Sequence, residues 1–167
     1  MLADIGRLAD LEGRLRAARE AHNLREEADL LAEIAAVYMV AGEGEQALRA
    51  LNSARIIYEV LEDPRGEAQM LNNSGVIYQE RGEPEQALPM LRLAFTLWGD
   101  LGDDEARATT AFNLATVCYQ LDDLAEAVRW LEIAVDLHEQ AGHPELYRER
   151  AALDELRFEL ELRSSRG

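Results

Sequence analysis

LNNSGVIYQERGEPEQALPMLRLAFTLW, Leu71 to Trp98, has two companions in the same chain. Forty residues earlier stands LAEIAAVYMVAGEGEQALRALNSARIIY, and forty residues later AFNLATVCYQLDDLAEAVRWLEIAVDLH. In each copy apolar residues recur at helical spacing, break at a short polar turn (AGEGE, RGEPE, LDDLA), and resume at helical spacing. That pattern predicts an antiparallel helix pair. One pair cannot cover its own apolar face, so the copies must stack as a repeat array.

Outward from these copies, the first unit takes a helix A from about Leu24 to Ala41 and a helix B from about Gly44 to Leu61. The units span 24–62, 63–102 and 103–142. Before them, residues 1–23 hold an amphipathic helix with Leu8, Leu11, Leu15 and Ala18 on one stripe, standing where the second helix of a preceding unit would stand. Asn23 with Glu26 three residues on is a capping-box arrangement, and Asp63-Pro64 and His143-Pro144 place a cap before a proline at the first helical position. Residues 143–162 form a capping helix in which Asp154 and Glu155 stand where Leu114 and Ala115 stand one unit earlier. Its Leu146, Leu153, Leu156 and Leu160 suit a one-sided lid, with Arg148, Glu149, Arg150 and Glu159 facing water. A disordered tail is expected at 163–167.

Among 167 residues, 48% are apolar, enough for a substantial core, and no stretch approaches the ~20 apolar residues of a membrane span. The start, MLADIGRLADLEGRL, carries acids within its apolar stretch, unlike a secretory or transit signal. With a single cysteine, Cys118, a soluble cytoplasmic protein is expected. The formal net charge is −16, and residues 28–143 hold 21 Asp or Glu against 7 Arg. Such a surface repels phosphate backbones and anionic lipid, so neither nucleic acid nor membrane is an expected partner. Every basic side chain is arginine, which codon composition explains as readily as avoidance of a lysine-directed modification.

Small residues recur at fixed places: Ala35, Gly75 and Ala115 midway along helix A; Ala47, Ala87 and Ala127 early in helix B; Ala54, Ala94 and Ala134 two turns later. Around them stand Ile34 and Leu114, Tyr38 and Tyr78, and Leu51, Leu91 and Leu131. Over about residues 24–143 this resembles the tetratricopeptide repeat. The period of 40 rather than 34 is similar to the longer-helix variants of bacterial regulatory proteins, kinesin light chains and spindle-orientation adaptors. Cys118 replaces the expected Tyr, and Asp122 the turn glycine of Gly42 and Gly82. The resemblance implies an all-α fold of about eight helices, a right-handed solenoid of antiparallel helix pairs whose concave wall of A helices holds peptides or partner helices. It implies no enzymatic activity and no cofactor.

By register, the groove positions are Ala32, Glu33, Ala36 and Met39 in the first unit; Asn72, Asn73, Val76 and Gln79 in the second; and Phe112, Asn113, Thr116 and Tyr119 in the third. Asn73 and Asn113 share one repeat position, where an amide can pair with an extended ligand's backbone or with neighbouring helices. Phe112, Tyr119 and Met39 would supply apolar anchor pockets. These positions contain no arginine, so a basic clamp for acidic EEVD-type tails has no counterpart, and basic or amphipathic partners are expected instead.

Metal and catalytic chemistry fail on spacing, since His22, His138 and His143 are scattered and no two have the i, i+4 placement of a zinc helix. Cys118 falls at a core position. Glu43, Glu83, Asp122 and Asp123 sit at turns and helix starts, where they cap helices and complement the dipole. Tyr58, Trp98 and His138 share a place late in helix B, either packing on the next A helix or forming an outer contact stripe. The first functional expectation is a non-catalytic protein-interaction module acting as adaptor, scaffold or chaperone. Two others stand beside it: a sensory domain of a larger bacterial regulator, and homodimerisation through apolar surface left open on the N-terminal helix.

Overall fold

The computed structural model describes residues 2–142 and 146–165, with side chains from residue 6 onward. The described residues form eight helices and no strand: α1 (Leu2–Glu20), α2 (Leu24–Val40), α3 (Gly44–Val60), α4 (Pro64–Glu80), α5 (Pro84–Asp100), α6 (Asp104–Gln120), α7 (Leu124–Ala141) and α8 (Leu146–Ser164). The fold is an all-α repeat solenoid. The His143-Pro144 cap lies outside the described residues.

One backbone device sets the regularity. Residues 22, 42, 62, 82, 102, 122 and 142 all have left-handed φ, between 53° and 73°. After α2, the Gly42 N–H donates to the Met39 carbonyl and the Glu43 N–H to the Tyr38 carbonyl. This is the Schellman closure, which satisfies carbonyls that a helix end leaves orphaned. The same bonds recur at Gly82-Glu83 and at Asp122-Asp123. Asp122 therefore substitutes for glycine with the geometry intact, at φ 60°, as a short polar side chain tolerates. Helix starts use the preceding side chain. The carboxylates of Asp63, Asp103 and Asp123 and the Asn23 amide oxygen each accept the backbone N–H three residues on. Glu43 and Glu83 do not cap, contrary to the sequence expectation. A glutamate reaches one carbon too far for that loop, and they bind Gln46 and Arg81 instead.

The chain divides into two compact units, Met1–Ile77 and Tyr78–Gly167. In the first, Leu11, Leu15 and Ala18 of α1 are buried in one core with Leu30, Leu31 and Ile34 of α2 and Leu51 and Ala54 of α3. The remaining described face of α1 is exposed and carries Arg7, Asp10, Arg14 and Glu20, so the open apolar surface expected there is absent among those residues. Tyr58 lies over Gly66, where an added Cβ would come within 2.5 Å of the ring, and its hydroxyl donates to Asp29 at 2.8 Å. Burial and this bond push the Tyr58 phenol well above its usual range. Arg25 pairs with Asp63 and sits over the Tyr58 ring.

The second unit buries Leu91, Leu114, Val117, Leu131 and Leu153 in one core. Phe95 meets Trp130 edge-on at 5.0 Å, and the Arg107 guanidinium lies 4.6 Å from the Phe95 ring centre, an arrangement that suits the ring's negative face and positive edge. Cys118 is buried in the same core, and desolvation pushes its thiol upward. Tyr58, Trp98 and His138 are all at most 6% exposed, so the late helix-B column packs inward and offers no outer stripe. Helix α8 continues through Arg163 and Ser164, which the sequence placed in a disordered tail, because Arg163 donates to Asp122 at 2.6 Å and to Glu159 at 2.8 Å.

Candidate interaction site

The sequence-predicted positions fall into two groups. On α2, Glu33 and Ala36 are exposed and Ala32 and Met39 half-buried; on α4, Asn72, Asn73, Val76 and Gln79 are half-buried. On α6, in the second unit, three of the four predicted residues come together. Phe112, Thr116 and Tyr119 line a pocket of about 260 Å³ with Ala115, Leu131 of α7, and Ala152, Glu155, Leu156 and Glu159 of α8. Asn113 is half-buried and lies outside this lining.

The pocket follows from helical geometry. Positions 112, 116 and 119 are spaced i, i+4, i+7, one face of a helix. Their repeat equivalents on α8 are Ala152, Leu156 and Glu159, so matching faces of α6 and α8 supply both walls. Sequence reasoning missed those three residues. The signal was available, since adding one period to Phe112, Thr116 and Tyr119 reaches them, but reading α8 as a departing lid hid it.

Phe112 and Tyr119 remain 40% and 49% exposed, enough to meet a ligand, over a floor made by Ala115 and Leu131. The rim is acidic. Glu159 is tied to Arg163, whereas Glu155 forms no ion pair among the described residues. Such a cleft accepts an apolar side chain and favours a cation beside it.

On its other flank α8 faces a crevice of about 380 Å³ with α7, holding Glu132, Asp136, Arg150, Asp154 and Arg157. There Arg157 bonds Glu132 at 2.8 Å and Arg150 bonds Glu139 at 2.7 Å. Beneath lies the buried imidazole of His138, whose Nδ1 is 2.9 Å from both oxygens of Glu149. Glu149 thus faces inward, whereas the sequence placed it toward water; pairing with His138 is what draws it in. Among the described residues no group of three His, Cys, Asp or Glu is placed to hold a metal, and no helix is long and apolar enough to cross a membrane.

Comparison with solved structures finds the same fold. The apo form of RapI matches with a TM-score of 0.78 at 16% identity, covering 92% of this chain and 45% of RapI. BtubC (BKLC) from P. vanneervenii matches at 0.77 and 18%, covering 94% of this chain and 66% of its own. A Rap protein complexed with Competence and Sporulation Factor matches at 0.68 and 17%, covering 91% and 48%. The chain therefore spans about half the length of the Rap proteins it resembles. No curated protein sequence matches. The sequence model of the tetratricopeptide repeat matches residues 26–98 and 66–140. With helix pairs of this register and these small-residue positions, the chain belongs to the tetratricopeptide-repeat family.

Proposed function

We propose that the protein is a non-catalytic interaction module that holds a peptide or helix of a partner protein on its A-helix faces, with the α6–α8 pocket as anchor. The observation that carries this reading is the convergence of Phe112, Thr116 and Tyr119 with Ala152, Glu155 and Leu156 on one cleft. Family membership supports a protein-binding role, and the one thiol is buried. The ligand is basic or amphipathic: an apolar side chain fills the cleft and an Arg or Lys meets Glu155, assisted by the net charge of −16. Asn113, on the same helix as Phe112, serves as a polar contact to its backbone.

The test is selection of peptides from a display library on the intact chain. The reading expects an apolar residue next to a basic one, loss of roughly tenfold in affinity on Tyr119→Ala, and a smaller loss on Glu155→Gln that shrinks as salt rises. Selected peptides that bind Tyr119→Ala undiminished would sink it. A variant of this reading makes the chain a sensory module of a larger bacterial regulator; its support is the fold shared with RapI and the Rap complex.

A further inference from the structure

The mouth of the α6–α8 pocket has a more particular make-up than an acidic rim over an apolar floor. Phe112 and Tyr119 stand seven residues apart on α6, about 10 Å along its axis. Both rings are exposed. In the 40-residue register Glu155 of α8 falls level with Ala115, midway between the two rings and about 5 Å from the level of each. The space there is open, because Ala115 and Ala152 line it with no more than a methyl group each. Neither earlier unit repeats the arrangement: the places of Phe112 and Tyr119 hold Asn72 and Gln79 one period back, and Ala32 and Met39 two periods back. The lining carries two carboxylates and no basic side chain. Glu159 is held by Arg163 at 2.8 Å, and Arg163 is held in turn by Asp122 at 2.6 Å. Glu155, exposed at the mouth, is the carboxylate that an incoming group meets.

We propose that the basic residue taken at this mouth is an arginine of a partner peptide, its guanidinium between the Phe112 and Tyr119 rings and paired with Glu155, in preference to a lysine. The proposal rests on the reading of this pocket as the anchor and names the cation that it selects. A guanidinium is planar and weakly hydrated, so it gives up water against two aromatic faces while still presenting paired N–H donors to a carboxylate. An ammonium is a compact, strongly hydrated charge and loses more in the same slot. A cation midway between the rings is within the ~6 Å over which a ring face attracts it. The apolar neighbour of that arginine then covers Leu131 and Leu156 on the floor. A second copy of this chain is a poor source of the arginine, since each copy carries a net charge of −16.

NMR titration of the full chain with blocked dipeptides provides the test, read at the ring signals of Phe112 and Tyr119. The probes are acetyl-leucyl-arginine amide, its lysine twin, and its citrulline twin, which keeps the planar group without the charge. The arginine probe should bind roughly fivefold more tightly than the lysine probe and roughly tenfold more tightly than the citrulline probe. Tyr119→Leu keeps an apolar side chain and should remove the advantage over lysine. Glu155→Gln should remove the advantage over citrulline. Both variants should melt like the parent in circular dichroism, because both positions are exposed. Equal binding of the arginine and lysine probes, or an advantage over lysine that survives Tyr119→Leu, would overturn the choice of arginine and leave the pocket as an anchor. No change at either ring with any probe would overturn it as well, and the display selection would then decide the anchor reading by itself. A dimer in sedimentation that Glu155→Gln dissolves would also overturn it, because an arginine of a second copy would then fill the mouth.

Discussion

Helices α1 and α8 are the first and last of the described helices, yet they are finished differently. Among the described residues of α1 every large apolar side chain turns inward, with Leu11 2% and Leu15 8% exposed, and the outer face is charged. In α8 only Leu153 is fully buried, while Tyr147 and Phe158 lie open. The described outer side of α1 carries no large apolar side chain. One side of helix α8 lines the pocket with α6, and another exposes Tyr147 and Phe158. Regular repeats hide this difference, because a repeat dictates what a helix does toward the neighbours it packs on and nothing about its other faces.

The sharpest way to break the comparison is to truncate one apolar residue at each end. Leu11→Ala removes a buried side chain and should cost about 2–4 kcal/mol. Phe158→Ala removes a larger side chain yet should change stability by less than about 0.5 kcal/mol. Urea unfolding of the two variants provides the measurement. A large cost for Phe158→Ala would mean that its ring is part of the core.

A smaller effect should come from the His138–Glu149 contact that fastens α8 to α7. Glu149→Gln removes the charge that the Nδ1 donor meets and should cost about 1.5–3 kcal/mol. Amide exchange should accelerate along α8 while α1 stays protected. Equal acceleration in both helices would show that the loss is global and that this contact does not hold α8 in particular.

How far the sequence reaches is clear from the same two helices. The 40-residue period, the stacked small residues and the register of Phe112, Thr116 and Tyr119 were legible because each is repeated, so spacing alone identifies it. Helix α8 was misread where the repeat stops. Its apolar residues lie on more than one face, and periodicity gives their angles without saying which face turns inward. Leu146, Leu153, Leu156 and Leu160 suit a one-sided lid, a pattern that says nothing of Tyr147 and Phe158. The inward turn of Glu149 depends on His138, eleven residues away on another helix. The failure of Glu43 and Glu83 to cap is a matter of side-chain reach, which a charge pattern does not encode.

Acid should act on the unit that contains α1 through Asp63. Its carboxyl is held below the ordinary value of 3.8 by Arg25 and by the Gly66 N–H. Because the folded value is depressed, the stabilisation is complete above the unfolded value and is lost as pH falls below about 4 through the folded one. Asp63→Asn should therefore lower stability more at pH 6 than at pH 2. Both partners are partly exposed, so added salt should also reduce the difference. An equal cost at both pH values would assign the residue's role to the cap hydrogen bond alone, without its charge.

The smallest expected effect lies in the turns. His22 closes α1 at φ 54°, whereas Gly142, just before the segment that leads to α8, has φ 70°. Left-handed φ crowds a Cβ against the following carbonyl, and glycine has none, although its unfolded chain has more freedom to lose. At exposed sites with left-handed φ the first effect should outweigh the second. His22→Gly should then stabilise the protein by about 0.5–1 kcal/mol, and Gly142→Ala should destabilise it by a similar amount. A stabilising His22→Gly together with a destabilising Gly142→Ala in thermal melts would show that one turn stores strain that the other avoids. The reverse pair, a destabilising His22→Gly and a stabilising Gly142→Ala, would mean that unfolded-state entropy dominates the closure of these helices.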